Sequence, residues 1–326
     1  MKARMLVVLA VTVLAAVVLA GGLGSIYAGP AVRLSIATGG VGGVYFPMGG
    51  GLASLISKHI PGATATAEVT PASVDNMRLL QAKRADLAFT LADTAHDAFK
   101  GEEPFRGSPV PIRTLSPLYN NFNHLVTVEG IGIATIGDLR GKRVSVGAPG
   151  SGTEITALRI LEAAGLHPDR DIRRERLGAA PSVDALKDRK IDAFFWSGGL
   201  PTAAVLDLAF SPGVRIKIVP LDGLVPVLQR KFGNLYFRSV IQKEFYSGMA
   251  ADAPTIGVAN LLVVHQDFDA ELAYQVTKLL FERRADLAQI HKEAANITTI
   301  GAAGRSPVPF HPGAIRFFRE RGIEGF

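Results

Sequence analysis

A strand, a turn of small residues and a helix occur twice in this chain, and that internal repeat limits the fold more than any other feature. In the first copy, residues 32–37 read as a strand, Thr38-Gly39-Gly40-Val41-Gly42-Gly43 as the turn and residues 47–59 as a helix. Pro47 suits the first turn of that helix, where a missing N–H costs nothing. In the second copy, residues 142–147 are the strand, Ala148-Pro149-Gly150-Ser151-Gly152-Thr153 the turn and residues 154–164 the helix. A second motif follows each copy. Ser73-Val74-Asp75 opens a helix ending at Lys83-Arg84, and residues 85–89 read as a strand. Ser182-Val183-Asp184 opens a helix ending at Arg189-Lys190, and residues 191–195 read as a strand. Both serines suit N-caps, because a side-chain oxygen accepts an orphan N–H there. Strands alternating with helices predict an α/β fold with mainly parallel sheets, and the repetition predicts two similar lobes.

Two longer β-rich runs, 115–128 and 255–265, stand outside these units and read as the chain crossing between lobes, out and back. Lobe 1 is then 30–120 plus 255–326, and lobe 2 is 121–254. A helix is expected over 270–288, and Pro307, Pro309 and Pro312 fall in a loop before a last short helix. The length of 326 residues fits two domains. With 48% hydrophobic and 20% charged residues the chain can bury an ordinary core.

Lys2 and Arg4 precede an apolar run from Met5 to Ala20, followed by small residues up to Ala28. This is the pattern of a secretory signal over residues 1–28, either cut near Ala28 or kept as an anchor. Both outcomes place the rest of the chain outside the cytoplasm. The net charge of +6 is spread out, and the basic stretch from Arg170 to Arg176 is broken by Asp169, Asp171 and Glu175, as on a solvated face rather than a nucleic-acid surface. There are no cysteines, which removes disulfides, thiol nucleophiles and zinc–thiolate sites. Enzyme motifs are near misses. Residues 147–153 have the spacing of a phosphate-binding loop, but Thr153 stands in the lysine position. Tyr45 stands where a dinucleotide fingerprint needs its third glycine. No HExxH or Gly-x-Ser-x-Gly pattern occurs. No catalytic residue, metal or cofactor is expected.

Ligands of open α/β sheets bind at the carboxyl ends of the strands. Helix N-termini there present unpaired N–H groups and a partial positive charge. The candidate contacts are Gly40, Gly42, Tyr45, Ser73, Asn76, Asp93, Ser151, Gly152, Thr153 and Trp196. Each also has a purely structural reading: Asp93 as a turn or cap residue, Asn76 serving its own helix end, Ser151 and Thr153 as caps, Tyr45 and Trp196 as core. His311, between Phe310 and Pro312, reads as structural.

These residues also carry a resemblance. Ile36-Ala37-Thr38-Gly39-Gly40, Tyr45-Phe46-Pro47-Met48-Gly49, Ala85-Asp86-Leu87-Ala88, Gly147 through Thr153 and His311-Pro312-Gly313-Ala314 resemble the TAXI solute receptors, the TRAP-associated extracytoplasmic immunogenic proteins. The resemblance implies the type II periplasmic-binding fold and a receptor feeding a TRAP membrane transporter. It also implies glutamate-, glutamine- or 2-oxoglutarate-like ligands. Thr90-Leu91-Ala92-Asp93 departs from the more polar turn usual in that family. The expected partners are a small carboxylate and the TRAP membrane subunits, with the receptor acting as a monomer. A ligand sensor for a signalling partner, an ABC-type receptor of the same fold and an exported enzyme are the alternatives.

Overall fold

The computed structural model describes residues 32–298 and 306–326; the expected signal segment, 1–28, lies outside them. The first half of the chain runs β1 (Val32–Ala37), α1 (Tyr45–His59), β2 (Ala63–Glu68), α2 (Ser73–Gln81), β3 (Leu87–Leu91) and α3 (Ala92–Lys100), then enters the long strand β4 (Ile112–Val128). The second half runs β5 (Arg143–Ser145), α4 (Gly152–Ala163), β6 (Arg173–Glu175), α5 (Ala179–Lys187), β7 (Ala193–Gly198), α6 (Ala203–Ala209), β8 (Ile216–Ile218), α7 (Val225–Phe232) and β9 (Tyr236–Ile241). The chain then returns through β10 (Ala253–His265) to α8 (Ala270–Glu282), α9 (Arg284–Ile290) and α10 (Pro312–Glu320). Among the described residues no helix is long and apolar enough to cross a membrane.

The strands form one path in the order β2-β1-β3-β10-β4-β7-β5-β6, with β8 beside β4 and β9 beside β10. On one side β1 and β3 are parallel and β10 is antiparallel to β3. On the other, β5 is parallel to β6 and β7, and β4 is antiparallel to β7. Each α/β unit is therefore closed by the strand that arrives from the other one. Both crossing strands serve both sides. Residues 112–117 of β4 pair with 261–265 of β10, whereas residues 122–126 of β4 pair with β7. The register between β4 and β10 slips at Ala259/Leu261 and at Leu262/Val263, next to the crossing. Two α/β units of like topology joined by two strands constitute the type II periplasmic-binding fold.

Local chemistry explains why the repeat folds alike twice. After α2, Lys83 adopts φ +53° and donates its N–H to the Leu80 carbonyl; after α5, Arg189 adopts φ +55° and donates to Leu186. The Asp86 carboxylate then accepts the Ser35 N–H at 2.8 Å, and Asp192 accepts the Arg143 N–H at 2.8 Å. Each aspartate thus pins the start of its strand to the neighbouring parallel strand. β3 and β10 are almost wholly buried, as expected of strands covered on both faces. One apolar cluster runs through both units, from Met77, Leu80 and Leu91 to Val144, Ile160 and Leu161, with Val258 and Leu261 of β10 between. Burial of each large side chain in it contributes roughly 1.5–3 kcal/mol.

Three expectations need correction. The helix foreseen over 270–288 is two, α8 and α9, because Arg283 leaves helical geometry at φ −108°, ψ 20°. Ser73 is the first residue of α2 rather than its N-cap; its hydroxyl accepts the Leu91 N–H instead. Ser182 lies inside α5, three residues after its start, and donates to Ser145 Oγ. By backbone position Ser73 corresponds to Ala179, and Ser182 corresponds to Asn76, so the two Ser-Val-Asp runs are not structural equivalents.

Candidate functional site

Between the two α/β units, at the carboxyl ends of β1, β5 and β7, lies a cavity of about 300 Å³. The N-terminal turns of α1, α4 and α5 all line it, through Gly43 to Tyr45, Ser151 to Thr153 and Gly178 to Pro181. α1 and α5 have no side-chain cap. Each has proline as its third residue, Pro47 and Pro181, so only the first N–H groups of each helix need a partner. Those groups carry the positive end of the helix dipole.

Hydroxyls make up most of the polar wall. Ser151 Oγ accepts the Glu154 N–H and caps α4. Thr153 Oγ1 accepts the Ser197 N–H, and Ser73 Oγ accepts the Leu91 N–H. For Ser151 and Thr153 the hydrogen of the hydroxyl is left to donate, whereas Ser73 donates its own to the Tyr45 phenol oxygen. Tyr119 and Ser197 are only 4% and 6% exposed, and neither Tyr119 OH nor Ser197 Oγ has a partner among the described residues. Buried hydroxyls in that state are costly unless a ligand or water meets them. At the floor, Tyr45 donates its phenol to Asn260 Oδ1, while Asn260 donates to Tyr119 O and Asn121 Oδ1. Burial pushes the Tyr45 phenol well above its ordinary range, so it stays a neutral donor. The rest of the wall is apolar, including Val69, Pro71, Leu91, Pro181 and the Trp196 indole, whose N–H is spent on Thr202 Oγ1. Among the described residues no Asp, Glu, Lys, Arg or His lines the cavity.

Two backbone contacts close it. The Gly150 carbonyl, on the β5–α4 turn, accepts the Val74 and Asp75 N–H groups of α2, each at 3.1 Å. Gly150 sits at φ +79°, and a Cβ there would stand 2.6 Å from the Asp75 carboxylate, so only glycine permits this approach. On the opposite turn, the Gly42 carbonyl accepts the Ala204 N–H of α6 at 3.2 Å. Ala72, on the wall before α2, holds φ +92°, a strained conformation for a residue with a Cβ.

The structure brings Gly40, Gly42, Tyr45, Ser73, Ser151, Gly152, Thr153 and Trp196 to the cavity wall. Asn76 and Asp93 are not in the lining and have structural duties. Asn76 is fully buried and donates to the Thr38 and Phe89 carbonyls at 2.7 and 2.8 Å, tying the β1 turn to β3. Asp93 is also fully buried and accepts from the Thr94 N–H, Thr156 Oγ1 and Tyr236 OH, with Arg159 3.8 Å away. His311 caps α10 by accepting the Gly313 N–H, as its position before Pro312 suggested. Residues passed over in the sequence are Tyr119 and Asn121, on the crossing strand, and Ser197. Tyr119-Asn120-Asn121 interrupts an apolar β run with polar side chains, which is the signal that could have found them.

Fold and cavity together define a two-lobed α/β protein with a cavity between its lobes. The NMT1-like family profile matches residues 36–322, and the chain belongs to that family. Among solved structures it is similar to the periplasmic aliphatic sulphonate binding protein SsuA from Escherichia coli (14% identity, 89% of this chain and 83% of that one, TM-score 0.46). It is also similar to a putative L-cystine ABC transporter from Listeria monocytogenes (16% identity, 84% and 99%, TM-score 0.49). A third likeness is to the cysteine-binding protein from Campylobacter jejuni (12% identity, 83% and 91%, TM-score 0.47).

Proposed function

We propose that this protein is an exported solute receptor that captures a small organic anion between its lobes and hands it to a membrane transporter. The observation that carries the reading is the cavity: three helix N-termini line it, Tyr119 and Ser197 in its wall carry buried hydroxyls without a partner among the described residues, and no described carboxylate lines it. Such a site offers donors to an anion and no basic or acidic side chain for proton transfer. The proposed hinge is the crossing of β4 and β10 near Asn121 and Gly257, where lobe 1 (30–120 plus 255–326) meets lobe 2 (121–254). The Gly150 and Gly42 contacts hold the lobes shut. Closure is then a rigid-body hinge motion.

The resemblance to TAXI receptors supports a TRAP membrane subunit as the acceptor; it also implies glutamate-, glutamine- or 2-oxoglutarate-like ligands, which a wall without charged side chains among the described residues does not favour. An ABC-type membrane partner fits family and fold as well. The test is calorimetry on chain from Gly29 that has been unfolded and refolded to strip any bound ligand, paired with small-angle scattering. Saturable binding of an anion that also shrinks the radius of gyration supports capture by closure. An affinity untouched by Ser151→Ala and by Thr153→Val would overturn it. Uptake into proteoliposomes separates the partners: an ion gradient drives a TRAP system, and ATP drives an ABC system.

A further inference from the structure

We infer that the ligand is a monovalent organic anion with an uncharged, largely apolar body, and neither an amino acid nor a dicarboxylate. The inference rests on the capture reading and narrows its ligand. An α-ammonium group brought into this cavity needs a carboxylate or several acceptors, and among the described residues the wall has no acidic side chain. The buried acids nearby are already engaged. Asp93 accepts from Tyr236 and Thr156, Glu154 pairs with Arg176, and Glu293 accepts the Leu200 N–H and an Asn296 N–H.

A second carboxylate meets the converse difficulty. One anionic group can be satisfied by the uncapped turns of α1 and α5 and the hydroxyls of Ser197 and Tyr119. The remaining wall, with Val41, Val69, Pro71, Leu91, Pro181 and the Trp196 indole, has among the described residues no arginine or lysine to receive another. A charge desolvated there without a partner weakens binding steeply. An aliphatic body, by contrast, gains from the same surface.

The orphan hydroxyls give the test a signature that a structural role lacks. Each is buried and unpartnered without ligand, so Tyr119→Phe and Ser197→Ala remove a cost from the empty protein and a donor from the complex. The probes are 4-methyl-2-oxopentanoate, butane-1-sulfonate, leucine, 2-oxoglutarate and glutamate, titrated calorimetrically into the stripped chain. Leucine differs from the first probe at one position, ammonium for oxo; 2-oxoglutarate carries a second carboxylate in place of a branched tail. The expected result is binding of at least one monoanion, with leucine, glutamate and 2-oxoglutarate at least tenfold weaker. Tyr119→Phe and Ser197→Ala should each weaken the monoanion about tenfold and leave the empty protein's melting temperature unchanged or higher. Leucine, glutamate or 2-oxoglutarate binding as tightly as the monoanions overturns this inference and leaves capture standing. Monoanion binding indifferent to both substitutions overturns the placement of the anion. Binding of none of the five overturns the capture reading together with the inference.

Discussion

The two α/β units solve the same folding problem with the same backbone device and then diverge where they meet the cavity. One spacing relates Lys83 to Arg189, Asp86 to Asp192 and the starts of α2 and α5, Ser73 and Ala179. Carried two turns further, it sets Thr90 against Trp196, Leu91 against Ser197 and Asp93 against Gly199. At equivalent places one unit presents an apolar side chain and the other an orphaned hydroxyl, so the wall is apolar at one point and donating at its counterpart. Likewise α4 has its first turn capped by Ser151, while α1, its equivalent, is left open. Shared residues hold strands and turns; the residues that break the repeat define the ligand.

Asp93 is the largest break, and removing its partner should have the largest effect. Asp93 and Asp97 of α3 face Arg159 of α4, which bonds Asp97 at 2.8 Å, Tyr236 OH at 3.1 Å and lies over the Phe232 ring. Burial raises the Asp97 carboxyl to about 6, and Tyr236, Asp93 and Asp97, against the opposing effect of burial, hold the Arg159 guanidinium above its usual range. Gly199 cannot make such a tie in the other unit. Arg159→Met leaves two carboxylates 0% and 2% exposed without their counter-charge, which should cost about 3–5 kcal/mol in urea unfolding. A cost below 1 kcal/mol would mean that the units are held by their shared apolar core alone.

A second asymmetry concerns acid. His124 of β4 pairs with Trp196, and Leu261 of β10 pairs with Thr90, so a histidine in one unit answers a leucine in the other. A directed chain fixes it: the Thr202 N–H donates to Tyr246 OH, Tyr246 to His124 Nε2, and His124 Nδ1 to the Phe122 carbonyl. Burial lowers the imidazole to about 4 from an ordinary 6.5. The unfolded chain therefore takes up a proton that the folded chain refuses. The stabilisation is complete above pH 6.5 and is lost as pH falls towards 4, by up to about 3 kcal/mol. The difference in stability between the wild type and His124→Asn, followed by denaturation from pH 7.5 to 4.5, should show this slope, because the raised Asp97 carboxyl, which acts in the opposite direction as pH falls, is common to both proteins and cancels. Amide exchange at pH 5 should open β7 and β8 before β1 and β3. Equal loss in both units would remove His124 as the source.

Much of this arrangement was legible in the sequence, and the lapses have physical causes. Glycine-rich turns between strand and helix announced both copies, because such turns must sit at the carboxyl ends of parallel strands. The crossing strands were legible as long, β-rich runs that stand outside the strand–helix units. Asp93 could not be separated from a cleft residue, since its partners Tyr236 and Arg159 lie more than sixty positions away. Ser182 was read as a cap because its neighbours copy Ser73, although three more residues of helix precede it. Tyr119 and Asn121 were marked in the sequence only by a polar break in an apolar β run; the register slip of β4 against β10 beside them joins residues more than a hundred positions apart and has no local signature.

The smallest expected effect tests the shared device itself. Asp86→Asn and Asp192→Asn keep an oxygen for the Ser35 and Arg143 N–H groups but replace a charged acceptor with a neutral one. A charge-assisted hydrogen bond exceeds a neutral one by about 1 kcal/mol, so each substitution should cost about that much. Asp192 also meets the Arg143 side chain at 2.7 Å, but that guanidinium is 37% exposed, and such pairs add only about 0.2–1 kcal/mol. The two costs, read from urea midpoints at constant slope, should therefore agree within about 0.5 kcal/mol after the Arg143→Met background is subtracted from Asp192→Asn. A disparity that survives that subtraction would show that the two copies share only their geometry, and that their energetics diverged even where their turns and hydrogen bonds match.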